Sequence, residues 1–181
     1  MTVTPTALPE VLILEPRRFA DERGCLFESY NRKTFNNATG IEREFVQDNH
    51  SISTRNVLRG LHYQITQAQG KLVRVVRGEI FDVAVDLRKS SPTLGKWVGV
   101  SLNESDGRQL WVPEGFGHGF FVLSDTAEVL YKATDYYAPA GERTILWDDP
   151  TLAIEWPKSA EKLLSPRDLA GVAFADAELY P

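Results

Sequence analysis

The sequence predicts a mainly β protein of the sandwich or jelly-roll type, finished by a short helical C-terminal tail. Three observations lead there. Short runs rich in branched and aromatic residues recur along the chain, Gly, Pro and Asn turn signals separate them, and helix signals are few. One run shows the strand period clearly. In Ile80-Phe81-Asp82-Val83-Ala84-Val85-Asp86, Phe81, Val83 and Val85 share one face and Asp82 and Asp86 the other, the pattern of a strand with one buried side. At 181 residues and 43% hydrophobic composition, the chain can bury one core. Residues 1–181 are therefore expected to form one domain, with 157–181 as its tail.

The elements follow in order. Val11–Leu14 is a short apolar run expected as a strand. Asn31 can cap a helical turn through Lys33 and Phe35 that Gly40 stops. Strands are expected at Glu44–Asp48, Val57–Tyr63, Leu72–Arg77, Glu79–Asp86, Trp97–Leu102, Gln109–Val112, His118–Val122 and Glu128–Ala133. After Pro157, Ser159–Leu164 and then Ser165-Pro166-Arg167-Asp168 read as a loop-and-helix tail. One detail resists regular geometry. Arg59 and His62 differ in parity, so a plain strand would point them to opposite faces. A bulge at the intervening Gly60 would restore a common face.

Charge and composition exclude several functions. The net charge of −5 argues against nonspecific binding to nucleic acid or an anionic membrane. The single cysteine, Cys25, builds neither a disulfide framework nor a thiolate metal site and reads as an apolar filler. No basic-then-apolar leader and no bilayer-length apolar run is evident, which makes a cytoplasmic location the expectation.

Chemistry concentrates in Asn56-Val57-Leu58-Arg59-Gly60-Leu61-His62-Tyr63-Gln64 and in Gly70-Lys71-Leu72-Val73-Arg74. An imidazole moves protons near neutral pH, a fixed ammonium stabilises an oxyanion, and an arginine holds phosphate. Together they suggest proton abstraction beside a carbonyl on a phosphate-bearing substrate. Pro113-Glu114-Gly115-Phe116-Gly117-His118-Gly119-Phe120 looks like the second signature of cupins, which are double-stranded β-helix jelly rolls. Many cupins bind metal through closely spaced histidines. Here no His-x-His occurs, and a metal site would consume all three histidines, His50, His62 and His118, without the usual spacing. No metal is expected.

The resemblance then sharpens. Asp21-Glu22-Arg23-Gly24, Gln47-Asp48-Asn49-His50-Ser51, Leu58-Arg59-Gly60-Leu61-His62-Tyr63, Gly70-Lys71-Leu72-Val73-Arg74, Phe81–Arg88, Pro113–Phe120 and Tyr131–Tyr137 resemble, in order, blocks of the dTDP-4-dehydrorhamnose 3,5-epimerase family. The resemblance runs from about Arg18 to Asp168. It implies a cupin-type jelly roll and epimerisation of a dTDP-4-keto-6-deoxyhexose at C5, C3 or both, without metal or organic cofactor. His62 matches the general base, Asp168 its carboxylate partner, Lys71 the lysine at the C4 oxygen and Tyr131 the proton donor. Arg23 and Arg59 match diphosphate contacts. Glu28, Gln47 and Asn49 match nucleoside or sugar contacts. His118, Glu142 and Arg167 fall at further ligand positions, and Tyr137 at a residue that stacks on the thymine.

The sequence also departs from the family. Cys25-Leu26 stands where aromatic residues are common, and Arg167 where lysine is, which leaves the sugar preference and the choice of carbon open. The resemblance further implies a homodimer with exchanged strands, in which Arg23 reaches the partner's site. Two other readings compete: a metal-dependent cupin oxygenase or isomerase, and a noncatalytic sugar-nucleotide-binding cupin.

Overall fold

The computed structural model of the chain describes residues 1–159 and 161–181. Its strands are β1 (Thr2–Pro5), β2 (Leu12–Glu15), β3 (Arg18–Asp21), β4 (Gly24–Phe27), β5 (Gln47–Thr54), β6 (Leu58–Gln64), β7 (Lys71–Arg77), β8 (Glu79–Asp86), β9 (Trp97–Asn103), β10 (Gln109–Val112), β11 (Phe116–Val122), β12 (Thr126–Ala133) and β13 (Glu142–Thr144). The helices are α1 (Arg32–Thr39) and the one-turn α2 (Pro166–Leu169). Two antiparallel sheets carry the fold, in the orders β1-β2-β10-β7-β12-β5 and β13-β6-β11-β8-β9. The β3–β4 hairpin stands apart from both. This is the expected cupin-type jelly roll.

Alternation sets the facing layers. Val73 and Val75 of β7, Leu110 and Val112 of β10 and Ala127 and Val129 of β12 meet Ile80 and Ala84 of β8 and Phe116, Phe120 and Val122 of β11 in one buried cluster. Each fully buried aliphatic or aromatic side chain there contributes roughly 1.5–3 kcal/mol. On the outside of the six-stranded sheet, α1 lays Phe35 against Leu14, Leu72 and Trp111. Asn31 caps α1 through its side chain, and Gly40 ends it with φ 72°, as the sequence led one to expect.

β8 departs from its one-sided reading. Its alternation is real, but both faces are covered. Val83 and Val85 pack under the C-terminal segment with Leu152 and Tyr180, while Asp82 and Asp86 point between the sheets and are fully buried. The segment is held on this second face by side-chain hydrogen bonds running in both directions between it and β6. The Tyr180 hydroxyl donates to the Gln64 carbonyl at 2.6 Å, and the Tyr63 hydroxyl donates to the Glu178 carbonyl at 2.7 Å. The loop-and-helix tail places its helix at α2, while Glu161–Leu164 run extended, with Leu163 bridging Val57; Ala160 lies outside the described residues.

The Gly60 bulge is present. His118 pairs with His62 and Phe120 with Arg59, so Gly60 and Leu61 together oppose Gly119. Glycine is required at position 60, where φ is 124° and a Cβ would lie 2.5 Å from the Gly119 Cα.

Candidate active site

The bulge turns Arg59 and His62 toward the same side. Leu61 and Tyr63 pack outward in the cluster beneath the tail. His62 faces a cavity of about 300 Å³ between the sheets, and the Arg59 Nε donates to the Ser53 hydroxyl of β5 at 3.1 Å, outside the cavity lining. The opposite wall comes from strands whose inward parity is set by their apolar residues. Lys71 shares the face of Val73 and Val75, and Tyr131 that of Ala127 and Val129. β5 adds Gln47 and Asn49, with Tyr137, Glu142 and Arg167 completing the lining.

A short helix delivers the carboxylate partner. Ser165 and Asp168 form a capping box around α2. The Asp168 N–H donates to the Ser165 hydroxyl oxygen at 3.2 Å, and that hydroxyl donates to Asp168 Oδ2 at 2.6 Å. Asp168 Oδ1 is left to accept from the Gly60 N–H at 3.2 Å and to meet His62 Nε2 at 2.6 Å. Burial pushes the Asp168 carboxyl up, but the hydrogen bonds from His62, Ser165 and Gly60 outweigh it and hold it at about 2. An ionised Asp168 only accepts, so His62 Nε2 carries its proton and Nδ1 keeps a free lone pair. Burial pushes the imidazole below its ordinary 6.5 against the pull of Asp168, which leaves it neutral and basic at neutral pH.

The facing wall has complementary electrostatics. Burial lowers the Lys71 ammonium to about 8, opposed first by Asp82 and then by Glu142. Its Nζ lies 5.9 Å from the centroid of the Tyr131 ring. Burial, then the Glu142 charge, raises the Tyr131 phenol above its ordinary 10 and keeps it protonated. At the outer end, the Tyr137 hydroxyl donates to Glu142 Oε2 at 2.6 Å, and Arg167 pairs with Glu142 Oε1. An imidazole base, an ammonium and a phenol acid around one cavity can remove a proton, hold an oxyanion and return a proton.

Most of the residues singled out in the sequence converge here. Gln47, Asn49, His62, Lys71, Tyr131, Tyr137, Glu142 and Arg167 line the cavity and Asp168 stands behind His62, while Arg59 is outside the lining, bonded to Ser53 with its charge acting on Tyr131. His118 is buried deeper, with Nε2 2.7 Å from Asp82 Oδ1. Arg23 and Glu28 are not brought in. Arg23 sits on the β3–β4 hairpin, its side chain 84% exposed and paired with Asp21, and Glu28 accepts from Asn31 and Thr34. His50 faces outward toward Glu128 at 3.4 Å. Among the described residues no set of three His, Cys, Asp or Glu is arranged to hold a metal ion.

Sequence reasoning missed Gln64, Gln69 and Asp82. Gln64 is buried and pins the loop that carries Tyr137. Its amide donates to the Gln67 and Tyr136 carbonyls at 2.7 and 3.2 Å and its Oε1 accepts from the Ala138 N–H at 2.9 Å. The available signals were a glutamine two residues after His62 and a carboxylate inside an apolar strand. Among the described residues no helix is long and apolar enough to cross a membrane.

Comparison with known proteins bears on this geometry. A family model described as dTDP-4-dehydrorhamnose 3,5-epimerase matches residues 5–176. The dTDP-4-dehydrorhamnose 3,5-epimerase of Pseudomonas aeruginosa is 59% identical over 181 residues, covering 100% of both chains. A dTDP-4-dehydrorhamnose 3-epimerase from Streptomyces niveus is 40% identical over 98% of this chain and 86% of its own. The crystal structure of a Legionella pneumophila dTDP-6-deoxy-D-glucose-3,5-epimerase in complex with dTDP-4-keto-L-rhamnose superposes with a TM-score of 0.96. It shares 49% identity over 99% of this chain and 97% of that one.

Proposed function

The chain belongs to the dTDP-4-dehydrorhamnose 3,5-epimerase family and is an isomerase of deoxysugar biosynthesis, and on that premise we propose how its residues act on a dTDP-4-keto-6-deoxyhexose. His62 Nδ1 takes the hydrogen from C5, and the electron pair moves onto the C4 oxygen. Lys71 holds the resulting enolate charge. Tyr131 returns a proton to the opposite face, inverting the carbon, and solvent restores both His62 and Tyr131. The reaction needs no net electron transfer, only proton exchange. The same sequence at C3 completes a double inversion, a reading supported by the 59% identity to a 3,5-epimerase against 40% to a 3-epimerase.

The observation that carries this reading is that His62 and Tyr131 project from opposing sheets into one cavity. A pyranose between them would present one face to each. General acid–base help is worth about 10²–10⁴-fold and an oxyanion donor about 10²–10³-fold, so neither suffices alone. Arg59 is assigned to the diphosphate, with Tyr137 stacking on the base and Gln47, Asn49, Glu142 and Arg167 orienting nucleotide and sugar.

Arg23 and Glu28 enter through a second copy. The β3–β4 hairpin that carries Arg23 exposes Phe19 (54%) and Leu26 (76%), apolar surface suited to burial in a homodimer with exchanged strands. An exposed free Cys25 is compatible with a reducing cytoplasm. Turnover of dTDP-4-keto-6-deoxyglucose in heavy water tests the chemistry. The product is expected to carry solvent deuterium at C5 and C3, and unlabelled product from active enzyme would overturn proton abstraction.

A further inference from the structure

Five side chains with amide or carboxylate oxygens line the cavity, Gln47, Asn49, Gln64, Gln69 and Glu142. Four of them already share those oxygens with the protein. Gln47 Oε1 accepts from the Tyr137 N–H at 2.9 Å, Asn49 Oδ1 from Gln47 Nε2 at 3.0 Å and Gln64 Oε1 from the Ala138 N–H at 2.9 Å. Glu142 Oε2 accepts from the Tyr137 hydroxyl at 2.6 Å, and Oε1 pairs with Arg167. Gln69 differs. Its Nε2 donates to the Asp135 carbonyl at 2.8 Å, and its Oε1 accepts from no group among the described residues. A carbonyl only accepts, so the contact with Asp135 fixes which end of the Gln69 amide is nitrogen and which is oxygen.

Gln69 is also held from its neighbour. It stands two residues before Lys71, and the intervening Gly70 is locked to Thr134. The Gly70 N–H donates to the Thr134 hydroxyl at 2.8 Å, and the Thr134 N–H donates to the Gly70 carbonyl at 3.0 Å. The β7–β12 pairing, in which Ala133 faces Lys71, thus continues past the strand end and sets Gln69 beside Asp135. Elsewhere the lining is rich in donors: the Lys71 ammonium, the Tyr131 phenol and the Arg167 guanidinium. His62 Nδ1 is the acceptor reserved for the carbon acid. A ligand's own O–H and N–H groups give up water on entering such a cavity and need acceptors there. Gln69 Oε1 supplies one, already oriented and without adding a charge to the wall.

We propose that Gln69 is a specificity-determining residue whose Oε1 accepts a hydrogen bond from a neutral O–H or N–H of the sugar nucleotide. Two groups of that ligand have this chemistry. One is the hydroxyl at C3, which adjoins the C4 oxygen assigned to Lys71. The other is the imide N–H of the thymine assigned to Tyr137, whose loop Gln69 also binds through Asp135. The proposal rests on the sugar-nucleotide reading above and adds to it the acceptor that fixes which edge of the ligand faces this wall.

Calorimetric titration of the full chain and of Gln69→Met tests the contact, with two pairs of probes. The first pair is dTDP and N3-methyl-dTDP, and the second is dTDP-glucose and dTDP-3-deoxyglucose. Loss of the bond to Asp135 weakens both members of a pair alike and cancels in their ratio. Removing the donor that Gln69 meets should cost the parent about three- to tenfold more affinity than it costs Gln69→Met. That excess in the first pair assigns the contact to the imide, and in the second pair to the C3 hydroxyl. Equal costs in parent and variant for both pairs would overturn the proposal and leave the sugar-nucleotide reading intact. A parent that bound neither dTDP nor dTDP-glucose would overturn that reading, and the proposal with it.

Discussion

Replacing Asp168 with asparagine separates the dyad from the fold. The side chain is 3% exposed, and its carboxyl is held from an ordinary 3.8 down to about 2. That depression is worth about 2 kcal/mol of folding free energy. A depressed carboxyl contributes fully above its unfolded value and loses that contribution as pH falls through its folded value. Urea unfolding should therefore show Asp168→Asn about 2 kcal/mol less stable than the parent at pH 7, with the gap closing between pH ~4 and ~2. The amide keeps the shape but brings N–H groups toward Gly60 N–H or Ser165, and it can no longer fix the His62 tautomer. kcat/KM should fall by about 10²–10⁴ at pH 7, where most of the variant remains folded. A stability gap independent of pH, or a kcat/KM within about threefold of the parent, would refute the reasoning that one carboxylate both caps α2 and orients His62.

Three further outcomes follow from the same geometry. Gly60→Ala should be far more damaging than Gly24→Ala, as measured by thermal unfolding. Both backbones have strongly positive φ, worth about 1–3 kcal/mol of strain, but only at Gly60 would the new Cβ strike backbone, whereas Gly24 has open space. The pH profile of kcat/KM should be bell-shaped. Activity falls below pH 6.5 as His62 takes a proton and falls again near pH 8 as Lys71 loses one, so a flat profile between pH 5 and 9 would count against both roles. Gln64→Leu should raise KM more than it lowers kcat, because the Tyr136 carbonyl and the Ala138 N–H of the Tyr137 loop, together with the Gln67 carbonyl, lose their partners, each unmet group costing about 1–3 kcal/mol. Equal effects on both constants would give Gln64 a role outside the loop.

Local patterns carried much of the architecture. Eight of the nine expected strands are present with ends within two residues of those observed, because alternation and turn residues are local signals, while the Glu44–Asp48 run meets β5 only at Gln47 and Asp48. The parity conflict between Arg59 and His62 located the bulge at Gly60 before any coordinates. The β3–β4 hairpin left no such trace, since nearly all its residues are exposed and no apolar face repeats. Three-residue β13 is too short to show a period. Asp82 was legible as a residue of one parity but not as buried, because alternation separates two faces without saying which of them meets water. Ser165-Pro166-Arg167-Asp168 announces a helix cap. That its carboxylate lands on a histidine 106 residues away is a tertiary fact, and family resemblance was the only sequence signal for it. In the loop-and-helix tail, contacts from elsewhere hold Glu161–Leu164 as the loop, with Leu163 bridging Val57 and Lys162 Nζ lying 5.2 Å from the Trp147 ring.

The most direct test of the two-walled site follows the C5 hydrogen of dTDP-4-keto-6-deoxyglucose by proton NMR in heavy water with Tyr131→Phe and His62→Ala. With the phenol removed, the imidazole should still exchange that hydrogen while net inversion is lost; with the imidazole removed, exchange itself should stop. Equal loss of exchange in the two variants, or continued inversion in Tyr131→Phe, would contradict a base on one sheet and an acid on the other.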